Sequence, residues 1–133
     1  YYIWWKKLTM KKIIYTKDAP NAIGPYSQAI LSNNTLYCSG QIAIDCKGNL
    51  KNESIEEETK QIIKNIAAVL KKAEMDFSNV VKTTIFLKDM NDFSIVNNIY
   101  QKTFENEPPA RETVEVSRLP KDVNIEISVI ASF

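Results

Sequence analysis

The chain is 133 residues long, the length of one domain, and carries 17 cations against 16 acids for a net charge of +1. Apolar residues at 44% and charged residues at 25% are those of an ordinary soluble globular protein, and so balanced a charge argues against strong nonspecific attraction to nucleic acid or anionic membrane. Histidine is absent, which excludes Ser-His-Asp and Cys-His catalysis, imidazole acid–base chemistry and His-ligated zinc.

Residues 1–9 are too short to span a bilayer and lack the parts of a complete signal peptide. They are set aside as an extension (upstream sequence, a cloning remnant or the stub of a processed leader), with Met10 a candidate start and residues 10–133 one domain. Residues 11–15 read as a strand and residues 19–25, with Pro20, Gly24 and Pro25, as a loop. Two short strands are expected over 35–39 and 41–45, with Gly40 as a bulge or kink between them, then a turn over 46–49. Cys38 and Cys46 match neither a C-x-x-C redox pair nor a zinc knuckle. A reducing cytoplasmic setting is the simpler reading, with an organelle such as the mitochondrion left open, and Cys38 reads as a small apolar strand residue.

Ser54 and Glu57 have the spacing of a capping box. Behind them Ile55, Ile62, Ile63, Ile66, Val69 and Leu70 recur at helical spacing and predict an amphipathic helix of about five turns. Residues 80–88 alternate, with Val81, Thr83, Ile85 and Leu87 on one face and Lys82, Thr84, Phe86 and Lys88 on the other. A second helix should open at Asn91 or Asp92, either of which can cap it. Its stripe is Phe93, Val96, Ile99, Tyr100 and Phe104, and Pro108-Pro109 closes the segment. Strands over 111–117 and 123–132 flank a turn at 119–122. The order β, β-β, α, β, α, β-β predicts an α+β domain, a mixed sheet with two helices on one face.

Lysine outnumbers arginine fifteen to two, so Arg111 and Arg118 stand out. If Val114 and Val116 face the helices, Arg111, Thr113, Glu115 and Ser117 take the opposite face. If Ile125, Ile127 and Val129 are also core, Asn124, Glu126 and Ser128 join them there. Pairing the last two strands as a hairpin sets Thr113 across from Glu126, with Arg111 on the diagonal at about 7–8 Å between Cα atoms. Two readings of that face stand open. One is a solvated face with a cross-strand ion pair worth about 0–1 kcal/mol. The other, favoured by Phe86 and Thr84 on the same side, is burial against another subunit, with a pocket in which the planar fork of Arg111 meets a carboxylate. Arg118, of opposite parity and at the turn, reads as structural.

The segments 109–116 (Pro-Ala-Arg-Glu-Thr-Val-Glu-Val) and 119–127 (Leu-Pro-Lys-Asp-Val-Asn-Ile-Glu-Ile) resemble the signature of the reactive intermediate deaminase (RidA/YjgF) family, also described as the L-PSP endoribonuclease family. Segments 22–28, 39–41, 81–84 and 88–93 are similar to it as well, so the resemblance covers essentially residues 10–133. It implies a chorismate-mutase-like fold, a homotrimer with pockets between subunits, no cofactor, and no metal. The implied activity is hydrolysis of 2-imino acids such as 2-iminobutanoate and 2-iminopropanoate, or their enamine tautomers, to 2-oxo acids and ammonia. By position, Arg111 would hold the substrate carboxylate and Glu126 would activate water. The backbone at Thr113 would add a contact, Tyr26 and Ser39 would line the pocket, and Asn91 would lie near it. Each of the last three has a plainer role: Tyr26 as a loop anchor, Ser39 as a strand end, Asn91 as a helix cap.

The sequence departs from the resemblance at Thr113, where many relatives carry Cys, and at Glu112, which replaces a commonly small residue. Two other functions compete. One is an endoribonuclease that inhibits translation, poorly served by a chain with no histidine and no basic stripe. The other is a non-catalytic, carboxylate-binding or chaperone-like trimer.

Overall fold

The computed structural model describes residues 11–133. The expectation of a separate extension over residues 1–9, with the domain starting at Met10, lies outside the described residues. Six strands and two helices follow one another as β1 (Lys12–Ile14), β2 (Ala29–Ser32), β3 (Thr35–Cys38), α1 (Ile55–Lys72), β4 (Val80–Leu87), α2 (Phe93–Thr103), β5 (Ala110–Glu115) and β6 (Ile125–Ser132). They build one sheet in the order β1-β2-β3-β6-β4-β5, antiparallel throughout except for the parallel β4–β5 pair that α2 connects. Both helices pack on one face, as the sequence order predicts.

The core lies between that face and the helices. The cross-strand pairs Ile85/Ile127, Leu87/Ile125 and Thr83/Val129 are all buried. Ile62, Ile66, Val69 and Leu70 of α1 and Val96 and Tyr100 of α2 close over the same side of the sheet. These residues recur every three or four positions, so the helical stripe is the element most directly written in the sequence. Ser54 Oγ accepts the Glu57 amide at 3.1 Å, one half of the expected box. The complete box forms at the 3-10 turn Phe77–Asn79, between Asp76 and Asn79.

Four expectations need correction. Residues 41–45 are not a strand: Gln41 touches the sheet through a single bridge to Ile127, and Ile44 bridges only to Leu50 across the following turn. The hairpin partner of β3 is β2, reached through Asn33 and Asn34, both at positive φ, which short amide side chains tolerate in a two-residue hairpin. Val81 does not join the core. A register shift between Val80 and Lys82 turns Val80 inward and leaves Val81 half exposed, as a bulge does to strict alternation. The 3-10 turn before α2 is capped by Asp89, whose carboxylate accepts the Asn91 amide, and neither Asn91 nor Asp92 caps with its side chain.

The fourth correction matters most. β5 and β6 are not a hairpin, because β4 lies between them. β6 is as long as β4 and pairs with it along most of its length, while β5 takes β4's other edge. Register sets Arg111 beside Thr83 and Glu126 beside Phe86. Thr83 and Phe86 are an odd number of residues apart on β4, so Arg111 faces the helices and Glu126 faces the open side. Val114 lies half exposed on that open side, next to Phe86, and Val116 packs into a second cluster of Ile42, Ile44, Leu119 and Val123.

Candidate active site

Glu126 sits in a pocket of about 320 Å³ lined by Ile23, Tyr26, Ser39, Gly40, Ile42 and Pro120. Half-burial among these largely apolar walls pushes its carboxyl above the usual carboxylate range by desolvation. Its side chain makes no hydrogen bond or ion pair with any of the described residues. Room for it depends on Gly40. A Cβ on that residue would lie 2.7 Å from Cδ of Glu126 and 2.9 Å from Oε2, closer than real side chains approach.

The other wall is a loop held from within the domain. Buried Gln28 accepts the Thr16 amide at 2.8 Å and donates to the carbonyls of Thr16 and Pro20 at 3.0 and 2.9 Å. Ser39 Oγ donates to the Ser27 carbonyl at 2.6 Å, so this hydroxyl ties the end of β3 to the loop as well as facing the pocket. The Tyr26 hydroxyl accepts the Ile23 amide at 3.3 Å while 48% of the residue stays exposed. The loop-anchor and pocket-lining roles of Tyr26 therefore coexist.

Arg111 lies elsewhere, in a second cleft of about 540 Å³ that includes Asn97, Tyr100, Phe104 and Pro109. Its guanidinium carbon stands 4.8 Å from the Tyr100 ring centre and 5.5 Å from that of Phe93, and Nη1 donates to Asn97 Oδ1 at 2.8 Å. Tyr100 is held in turn by a 2.7 Å bond between its hydroxyl and Thr83. No carboxylate of the described residues pairs with Arg111. The charge of this half-buried guanidinium is therefore met only by neutral groups and π faces among the described residues.

Thr113 follows Arg111 on the same face of β5, and its buried Oγ1 has no hydrogen-bond partner among the described residues. Because β5 is the last strand, its outer backbone groups have no strand beside them. Asn91 is exposed on the 3-10 turn and lines neither cleft; the asparagine that reaches Arg111 is Asn97. Sequence reasoning missed Asn97, Phe93 and Tyr100 as partners of Arg111. The available signal was a polar residue within the α2 stripe, since 93, 97 and 100 fall on one helical face. Arg118 pairs with Asp122 at 2.6 Å across exposed surface, consistent with a structural role at the turn.

The arrangement thus sets an unpaired guanidinium and a partly desolvated carboxylate on opposite faces of one sheet. Residues 16–133 match the family described as Endoribonuclease L-PSP, and the chain belongs to that family. It is 53% identical over 123 residues to a RutC family protein of Saccharolobus solfataricus, covering 92% of this chain and 98% of that one. It is 49% identical over 123 residues to human 2-iminobutanoate/2-iminopropanoate deaminase, covering 92% and 90%. The crystal structure of a conserved Rid-family protein from Yersinia pestis superposes with a TM-score of 0.91 at 52% identity, over 93% of this chain and all of that one. The YjgF gene product of E. coli does so at 0.87 and 42%, over 91% and 98%.

Proposed function

We propose that this protein hydrolyses reactive 2-imino acids, 2-iminobutanoate and 2-iminopropanoate among them, to 2-oxo acids and ammonia without a cofactor, in a homotrimer whose sites lie between subunits. The observation that carries this reading is the unpaired Arg111 on one sheet face and the desolvated Glu126 on the other. A substrate with a carboxylate at one end and an electrophilic carbon next to it needs both, and a second copy brings them together. Relatives named as 2-iminobutanoate/2-iminopropanoate deaminases at about half identity support the substrate class.

Arg111, steadied by Asn97 and Tyr100, donates two parallel bonds to the substrate carboxylate, and an outer backbone group near Thr113 adds a further contact. This fixes the imine carbon against the Glu126 pocket of the neighbouring copy, whose Tyr26, Ser39 and Ile42 wall it in. Water adds to the carbon of the protonated imine as Glu126 takes one of its protons, giving a neutral amino alcohol. Glu126 returns that proton to nitrogen, and ammonia leaves as the C=O bond forms and the hydroxyl proton passes to Glu126, which releases it to solvent. Proton transfer by a positioned side chain contributes about 10²–10⁴-fold in rate, and a carboxyl raised above its usual range is better matched to both taking and returning a proton. The test is ammonia release from freshly generated 2-iminobutanoate by a species three times the mass of the chain. A stable monomer, or release no faster than that of Arg111→Ala, rejects the reading.

A further inference from the structure

Glu58 of α1 is wholly buried and has no part in the chemistry above. Its carboxylate accepts three N–H donors. Oε1 takes the amides of Asn124 at 2.7 Å and Ile125 at 3.2 Å, and Oε2 takes the Asn124 side-chain amide at 3.0 Å. All three donors come from the one or two residues before Glu126.

The sheet explains why those donors need Glu58. On this edge of β6 the ladder with β3 stops at Tyr37 opposite Ile130, then resumes as one bridge, Gln41 opposite Ile127. The departure of the chain around Ser39 and Gly40 is what opens the pocket beside Glu126. Its consequence is that the amide of Ile125, two residues before Ile127 and on the same edge, meets no strand. A buried unpaired amide is strongly disfavoured, and a side chain from α1 takes the place of the missing strand. The same stretch begins at Pro120, which walls the pocket, and passes through Lys121 and Asp122, both at positive φ. The Glu126 side chain makes no hydrogen bond or ion pair among the described residues to fix its direction, so it follows a shift of the backbone at Ile125.

We propose that Glu58 is a positioning residue of the candidate active site, fixing the path from Pro120 to Glu126 so that pocket wall and reacting carboxylate keep their geometry. The inference rests on the reading of Glu126 given above. Misplacement by about 1 Å at a reacting group can lower a rate by about 100-fold, so the effect is measurable.

The experiment compares Glu58→Gln, Glu58→Met and Asn124→Ala in kcat, KM and melting temperature with freshly generated 2-iminobutanoate. Glu58→Gln keeps a carbonyl oxygen for both backbone amides, and the Asn124 amide turns to accept its NH2 group; kcat stays within about twofold. Glu58→Met has similar length but no comparable acceptor. Its kcat per folded chain falls at least about tenfold while KM stays within about threefold, because the carboxylate grip is on β5 and α2. A Glu58→Met protein that melts earlier but keeps kcat per folded chain overturns the proposal, since that is the mark of a purely structural residue. If Glu58→Met does not fold, Asn124→Ala decides. It removes the arm on Oε2 alone, and a fall in kcat of about threefold at constant KM supports the proposal, whereas unchanged kcat overturns it. If the parent does not hydrolyse the imine, the functional reading fails by itself. Positioning is then judged by NMR contacts between Gly40 Hα and Glu126 Hγ, which should survive in Glu58→Gln and vanish in Glu58→Met. Their survival in Glu58→Met overturns the proposal.

Discussion

Arg111 is in register with Thr83 and Glu126 with Phe86, and this pair of registers sets the two residues on opposite faces of one sheet with β4 between them. A small substrate cannot bridge them through the sheet. If both act on one molecule, Arg111 of one copy works with Glu126 of another.

Subunit mixing tests this relationship directly. Arg111→Ala and Glu126→Gln chains are each inactive alone. Unfolded together one to one and reassembled, they form interfaces in which an intact Glu126 meets an intact Arg111 by chance about one time in four. Imine hydrolysis should therefore return to about a quarter of the parent rate. No recovery from a properly mixed trimer places both groups in one chain's site and sinks the composite reading.

The Arg111 grip should depend on the fork and not only on charge. Arg111→Lys keeps the cation but loses the paired donors, each worth roughly 1.5–3 kcal/mol, so kcat/KM should fall at least about tenfold. Asn97→Ala leaves the fork intact and removes its 2.8 Å anchor. Its effect should appear in KM, a rise of several-fold, with kcat little changed. Equal kinetics in Arg111→Lys and parent would remove Arg111 from the site.

Much of the fold was legible in the sequence, and the reason it was differs by element. The α1 stripe has the helical period across eighteen residues, and no other structure buries that set. The β2–β3 hairpin carried a signal too, in the twin Asn33-Asn34, but its four-residue strands are short of the length at which alternation becomes distinctive. Sheet order was not legible at all, because alternation reports which face a residue takes and not which strand stands beside it. That gap misplaced Arg111. Val114 and Val116 gave β5 one apolar side, yet that side meets the open face and the small cluster around Ile42. The cation, meanwhile, lies under α2 against Phe93 and Tyr100. Tyr26, Ser39 and Glu126 come from three distant segments, and periodicity alone could not have joined them; the resemblance named them and the structure brings them around one pocket.

Gly40 separates space from backbone freedom. Its φ lies outside the left-handed region, so alanine is tolerated by the backbone there. The new methyl would nevertheless overlap the Glu126 carboxyl carbon. Gly40→Ala should fold, with a stability change of about 1–3 kcal/mol from overpacking, while kcat falls at least about tenfold because the carboxylate is pushed aside. A Gly40→Ala protein with parental kcat shows that the carboxylate has other places to work from.

RNA cleavage should be absent. The chain has no histidine and a net charge of +1, and no group of three metal-ligating side chains gathers among the described residues. Highly purified protein should leave labelled single-stranded RNA intact, and any binding should weaken steeply with salt. Cleavage that stays with the trimer through purification and disappears in Arg111→Ala would place the family's ribonuclease description ahead of imine hydrolysis.

Glu126→Gln distinguishes a water-activating carboxylate from one that only forms a structural ion pair with a cation of a neighbouring copy, through activity and stability together. Burial raises the Glu126 carboxyl, so folding favours its protonated form. The sign follows from linkage: a carboxyl raised in the folded state contributes its full stability below its unfolded value and loses that contribution as pH rises through the folded value. At neutral pH the parent therefore holds a partly desolvated charge that glutamine does not. Glu126→Gln should melt higher than the parent at pH 7, and the difference should shrink as pH falls through the raised folded value and vanish below the usual carboxylate range. Its kcat should drop by at least about 100-fold, since the amide cannot accept the water's proton, while binding of 2-oxobutanoate through Arg111 survives. In the parent, kcat/KM should rise on an acid limb set above that usual range, where Glu126 ionises. A structural ion pair predicts the reverse on both axes, with lower stability at pH 7 and unchanged turnover per folded trimer. Melting curves at pH 4 and pH 7 beside initial rates decide between them, and parental turnover by Glu126→Gln removes Glu126 from the chemistry.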